Sequence, residues 1–112
     1  VDLCHTAYEK LEKGGRVIME TPNPTSLAIY THAFYMDPSH VKPVHPLTLE
    51  YFLQKAGFHD IKILYTESSR INMEIPELQT GSSENTEACN KAMRVVSDTL
   101  FGSQDYAIIG TK

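Results

Sequence analysis

The chain lacks several features, and each absence removes a class of function. No apolar run approaches the ~20 residues that span a bilayer, so no membrane-crossing helix is expected. Basic residues are scarce: ten Lys and Arg stand against fourteen Asp and Glu, for a formal charge of −4. Nonspecific nucleic-acid binding needs clustered cations, and this balance speaks against it. Cysteine occurs only twice, at Cys4 and Cys89. Both fall on the apolar faces of expected helices and read as core thiols rather than as a disulfide framework. Glycines number six and none are spaced G-x-G. The one adjacent pair, Gly14-Gly15, precedes an apolar strand instead of following one, which excludes a nucleotide-binding loop there. No secretory signal pattern is present, so a cytoplasmic location is expected.

What remains is an ordinary globular composition, 41% hydrophobic and 21% charged over 112 residues. That is one domain with a modest core, and it is not a disordered chain. The first residues already read as helix, so the polypeptide is expected to be a piece of something longer.

The organising stretch is residues 13–24, KGGRVIMETPNP. Its glycines release the backbone from a preceding helix, with Gly14 as the expected cap. Residues 16–20 then form a short strand, and Pro22, which has no N–H, stops it. Residues 22–46 hold five of the six prolines and most of the His, Tyr and Asp chemistry. A strand opening at its carboxyl end into a polar aromatic loop is where open α/β sheets hold ligands. Function is therefore expected within residues 20–46.

Around this stretch the pattern is α-β-α-β-α-β. Residues 2–13 place Leu3, Cys4, Ala7, Tyr8 and Leu11 on one helical face. Ser26 to Ala33 accommodates one or two helical turns. A second helix covers 47–56, with Pro46 suited to its first turn and Gly57-Phe58 as a left-handed cap. Residues 60–66 alternate as a strand. Ile71, Met73 and Ile75 alternate as an edge-strand candidate. Ser82 or Ser83 then caps a helix over 84–100, whose stripe is Cys89, Ala92, Met93, Val96 and Leu100. Residues 106–109 make the last strand. The strands at 61–66 and 106–109 are apolar on both sides and need cover on both. Helix 84–100 is expected to cover the sheet face opposite helices 2–13 and 47–56.

Four segments, in order, resemble class I S-adenosylmethionine-dependent methyltransferases. Residues 11–24, LEKGGRVIMETPNP, are similar to the family's "L-K-P-G-G, strand, E-T-P-N-P" segment. Residues 34–43, FYMDPSHVKP, resemble the post-strand signature of a bacterial branch linked to glycan or O-antigen modification. Residues 49–58, ending KAGF, resemble the next helix, and residues 104–112, QDYAIIGTK, the closing strand. The resemblance implies an α/β, partial Rossmann-like methyltransferase sheet. Its three strands would be the family's fifth, seventh and sixth, the seventh between the others and antiparallel to both, with helices on both faces. One departure is that about forty residues and a helix separate the last two strands, where the family commonly has a tight hairpin.

The larger departure is the missing glycine loop and the missing ribose-binding acid. The chain is thus expected to be the acceptor-side, carboxyl-terminal portion of a methyltransferase domain. It would depend on S-adenosyl-L-methionine in the intact protein, bind none alone, and be inactive without the amino-terminal half. The expected acceptor is a small molecule or a glycan. His40 is read as a catalytic base, because imidazole titrates near neutrality and takes a proton from an acceptor hydroxyl. Asp37 would orient it. Tyr35, His45, Glu20 and Asn23 are read as substrate-binding, and no metal set is assigned. The plainer alternative is that Asp37-Pro38 forms a turn, Tyr35 packs, His40 bonds backbone and Glu20 bonds the nearby loop. A second functional class is a non-catalytic α/β binding or interaction module derived from a methyltransferase. With the family's fourth strand absent, residues 16–20 are expected to be an open edge that pairs with a second copy, unless residues 69–76 fold back and seal it.

Overall fold

The computed structural model describes residues 1–31, 34–73, 75–79 and 84–112. In chain order the elements are α1 (Asp2–Lys10), β1 (Arg16–Pro22), α2 (Ala28–Thr31), α3 (Pro46–Ala56), β2 (His59–Tyr65), α4 (Glu84–Phe101) and β3 (Asp105–Thr111), with 3-10 turns at Phe34–Met36 and Glu67–Ser69.

The sheet has the order β1-β3-β2, and β3 runs antiparallel to both neighbours. The central placement expected of the last strand is what the fold has. Ile18 faces Ile109, and Met19 faces Ile108, which also faces Ile63. Directly opposed residues share a sheet face, so this register sorts the strands into two sides. On one side Val17, Met19, Ile61, Ile63, Tyr106 and Ile108 meet Cys4 of α1 and Leu49, Leu53 and Ala56 of α3, joined by Phe58. Leu53, Tyr106 and Ile108 have no exposed surface. Each such side chain contributes about 1.5–3 kcal/mol of burial free energy.

Local chemistry accounts for most of the boundaries. Gly57 adopts φ 108° as the left-handed cap of α3, and Phe58 N–H bonds back to the Leu53 carbonyl at 3.0 Å. A Cβ on Gly57 would stand 2.9 Å from Tyr8 Cζ, so the cap also admits α1 against α3. Pro46 occupies the first turn of α3. Pro22 ends β1 inside the strand, not before it. Its nitrogen faces the open edge, where the missing N–H breaks no ladder bond. Gly14 is not the cap of α1: the helix ends with Leu11 N–H on the Ala7 carbonyl. Gly14 instead takes φ 82° and bonds the Lys112 carbonyl at 2.8 Å, steering the chain into β1.

The second sheet face differs from expectation. Ile18 is 67% exposed and Leu64 51%, and Ala92, Val95 and Val96 of α4 are also exposed, so α4 does not cover that face. The residues buried along α4 are Asn90 and Ser97, not the apolar stripe. The reason is a polar clamp. Asn90 accepts from Leu78 N–H at 2.9 Å and donates to the Leu78 carbonyl at 3.2 Å, and Ser97 Oγ accepts from Ile75 N–H at 3.5 Å. Arg70 bonds Asp98 at 2.7 Å, and Arg94 pairs with Glu77. The described residues within 69–76 form no strand; they run along α4, and among the described residues no strand pairs with the outer edge of β1. The expected caps Ser82 and Ser83 lie outside the described residues. The molecule is accordingly long, 58 × 31 × 20 Å. Cys4 is buried and Cys89 half-exposed, both as free thiols.

Candidate functional site

The loop after β1 is tied down by its first residues. Asn23 N–H bonds the Gln104 carbonyl at 2.6 Å, and Asn23 Nδ2 donates to the Ser103 carbonyl at 2.8 Å. Asn23 Oδ1 accepts from Thr25 N–H at 3.1 Å and Thr25 Oγ1 at 2.8 Å, an Asx turn that reverses the chain. Three residues on, Ser26 Oγ donates to the Leu100 carbonyl and accepts from Gln104 Nε2 at 2.8 Å. From the other side Ser69 Oγ accepts from both Gln104 and Asp105 N–H, at 2.9 and 3.0 Å. Gln104 Oε1 is buried with no hydrogen-bond partner, a desolvation cost of about 1–3 kcal/mol that the rest of the knot offsets. The loops that follow β1 and β2 at this edge are thus fastened to the start of β3.

On this base sits an aromatic turn. Phe34 is 2% exposed and forms its floor. The His40 ring stacks on Phe34 at 5.2 Å and 22°, and Tyr35 meets Phe34 edge-on at 5.2 Å. Tyr35 itself is 73% exposed. His40 Nδ1 lies 3.3 Å from the Phe34 carbonyl. A carbonyl only accepts, so Nδ1 carries the hydrogen and Nε2 of the neutral ring keeps its lone pair. That nitrogen is 3.7 Å from Asp37 Oδ2. Hydrogen bonds from Ser39, side chain and backbone, hold the Asp37 carboxyl below its usual range, with a smaller contribution from His40. Asp37 therefore stays ionised, and its carboxylate attracts Nε2 only when that nitrogen also carries a hydrogen, as in the imidazolium.

His45 has a different occupation. It is the N-cap of α3, and its Nδ1 accepts from Leu47 N–H at 3.2 Å. Its hydrogen is accordingly on Nε2, the opposite tautomer to His40. Glu20 is exposed on the open sheet face, with Thr66 Oγ1 donating to Oε1 at 3.5 Å. Asn23 is 3% exposed and its amide is committed to the turn and to Ser103.

Asp105 belongs to this constellation and was not singled out from the sequence. Burial raises its carboxyl pKa, the Glu20 charge raises it further, and His40 opposes them. The three titratable groups therefore share one electrostatic neighbourhood at the carboxyl end of β1. The available signal was the QDY motif, which read simply as the start of a strand. Beside it a concavity of ≈ 360 Å³ is lined by Asn23, Thr25, Tyr65, Glu67, Arg70, Asp98, Gly102 and Ser103. Tyr35, His40 and His45 do not line that concavity. His5 and His59 are exposed, and His32 lies outside the described residues. Among the described residues no group of three or more His, Cys, Asp or Glu is placed to hold a metal ion. No helix among them is long and apolar enough to cross a membrane.

The Gly14-Gly15 pair offers no anion cradle. Gly14 N–H is bonded to Lys112 and Gly15 N–H to the Glu12 carbonyl at 2.9 Å. These glycines therefore do not fit a nucleotide-type cofactor.

The chain is similar over 99% of its length to the crystal structure of an S-adenosylmethionine-dependent methyltransferase from Archaeoglobus fulgidus, with 38% sequence identity and a TM-score of 0.81. It spans 51% of that chain. No family model matches the sequence, and no curated protein matches it. The α/β architecture is methyltransferase-like.

Proposed function

We propose that this chain is the acceptor-side, carboxyl-terminal portion of an S-adenosylmethionine-dependent methyltransferase, acting on a hydroxyl-bearing small molecule or glycan. The carrying observation is the likeness to the archaeal methyltransferase along 99% of the chain at 38% identity. The methyl donor would be held by an amino-terminal half, because the glycines here do not fit it. This chain supplies the acceptor and proton side. His40, with Nδ1 fixed on the Phe34 carbonyl, presents Nε2 to take the proton that an acceptor hydroxyl releases. Asp37, 3.7 Å from Nε2, stabilises the imidazolium that results. Tyr35 offers an exposed ring on which a sugar or planar acceptor stacks.

The alternative reading, a binding module without catalysis, draws on the structural duties of Asn23 and His45. A methyl-transfer assay on the chain supplied with a cofactor-binding half separates the two. Methylation that falls with His40→Ala, at unchanged cofactor affinity, supports the catalytic reading. Loss of cofactor affinity in that variant contradicts the role given to His40. For the chain alone, calorimetric titration with S-adenosylmethionine is expected to show no binding; a dissociation constant in the low micromolar range would overturn the division of labour.

A further inference from the structure

Four segments build the concavity of ≈ 360 Å³ beside the start of β3: the loop after β1, the end of β2, the turn at Glu67–Ser69 and the base of α4. None of its lining residues belongs to β1, so a further strand paired along β1 uses none of them. Its polar groups are already held in place. Arg70 bonds Asp98 at 2.7 Å and lies 3.9 Å from Glu67, one cation between two carboxylates. Thr25 Oγ1 and Ser103 Oγ give their hydrogens to Asn23 Oδ1 and Glu67 Oε1, at 2.8 and 3.5 Å, and keep their lone pairs. Among these stands the exposed Tyr65. Among the described residues nothing stacks on its ring or bonds its hydroxyl.

The chemistry of this wall selects its ligand. Tyr65 gives the one aromatic surface among polar side chains, so a wholly apolar ligand has little to bury against. Two carboxylates against one guanidinium oppose an anion, and the guanidinium between them already takes the place that a ligand cation would seek. Neutral hydroxyls suit it. An O–H donates to a carboxylate and accepts from Arg70, and two adjacent hydroxyls meet both oxygens of a carboxylate or both arms of the guanidinium fork. We infer that this concavity binds a neutral sugar residue, with its C–H face on the Tyr65 ring and its hydroxyls shared among Glu67, Asp98 and Arg70. Because these groups are fixed by one another and by the loop after β1, little freedom is lost when the sugar enters. The site goes beyond the acceptor role given to His40 and Tyr35, neither of which lines it. It involves no methyl transfer, so its failure and the failure of the catalytic reading are separate events.

The test is amide NMR of the isotope-labelled 112-residue chain, titrated with neutral methyl hexosides and, for comparison, with a hexuronate and a hexose phosphate. A neutral hexoside is expected to bind with a dissociation constant on the order of 1 mM, as suits one ring held by a few bonds. The amides that shift are expected to be those of Thr25, Tyr65, Glu67 and Ser103. The two anionic sugars are expected to bind at least about tenfold more weakly. Tyr65→Ala is expected to weaken binding of the neutral hexoside about tenfold, and Glu67→Gln about fivefold. Glu67 lies in an exposed turn, so its variant reports on the site even where loss of the Tyr65 ring disturbs the end of β2. No shift at these amides with any neutral hexoside, well above that concentration, overturns the inference. So does tighter binding of the anionic sugars, or binding indifferent to both substitutions. Shifts confined to residues 34–40 also refute it, and assign the sugar to the His40 turn instead.

Discussion

The Lys112 ammonium lies 4.6 Å above the Tyr8 ring and donates to the carbonyls of Tyr8 and Leu11 at 2.6 and 2.7 Å. One cation thus caps the carboxyl end of α1, satisfies carbonyls that the helix leaves open, and joins α1 to β3. Lys112→Met keeps the stem and removes the charge. It is expected to lower stability by about 1–2 kcal/mol, read as a shift in the denaturant midpoint without a change in slope.

Tyr106 is fully buried and its hydroxyl donates to the Val44 carbonyl at 2.8 Å, holding the proline-rich loop to the sheet. Burial, with the neighbouring Tyr65, pushes its pKa up to about 12. The folded state therefore keeps a proton that the unfolded chain releases near pH ~10. Stability is expected to be unaffected below that value and to fall as pH rises from there through about 12. Tyr106→Phe should cost about 1–2 kcal/mol at neutral pH through the orphaned carbonyl, and should abolish the alkaline slope attributable to this group. Denaturant melts between neutral and alkaline pH measure both.

Asp105 is raised by burial and by Glu20, so its ionisation works against folding. Below the usual carboxylate range it is protonated in both states and contributes nothing; above that range the unfolded state ionises more readily and stability is lost. Asp105→Asn is expected to stabilise the protein at neutral pH, with the difference vanishing in acid. Asp37 has the opposite sign, since Ser39 favours its charged form. Its contribution is present above the usual carboxylate range and is lost as pH falls through its lowered value. A melt series on Asp105→Asn and Asp37→Asn that fails to show opposite pH trends would contradict both assignments.

His45 caps α3 through Nδ1. His45→Ala is expected to cost about 1 kcal/mol, and His45→Asn, a strong capping residue, to restore it. In a reconstituted methyl-transfer assay the Asn variant should remain active. Loss of activity in a stable Asn variant would return His45 to the acceptor site.

Legibility in the sequence followed the range of the interactions. The α3 cap was plain because Gly57-Phe58 satisfies it within a few residues. The place of β3 was not: its register to β1 and β2 rests on pairs many residues apart, and the family resemblance supplied it where periodicity could not. The inverted burial of α4 was hidden because Asn90 answers to Leu78, across a segment without period. Apolar spacing alone pointed to the wrong face. The capping bond of His45 was not legible because imidazole is an unusual capping group. Asp105 was missed because its environment is assembled by Glu20 and His40 from a distant part of the chain.

The clamp between α4 and residues 70–78 also sets how the molecule opens. Its bonds are side chain to backbone or exposed ion pairs, and they do not pass through the core beneath α1 and α3. Amides of β3, paired on both edges, exchange with solvent only when the whole domain unfolds. Those in the outer turns of α4 exchange through a smaller opening that leaves the sheet intact. Two protection plateaus follow, with the step between them near Thr99 and Leu100, where Leu27 N–H and Ser26 Oγ fasten the helix base to the loop after β1. None of the clamp's bonds described above involves the aromatic turn that holds His40, so opening of the arm leaves that turn's own contacts in place.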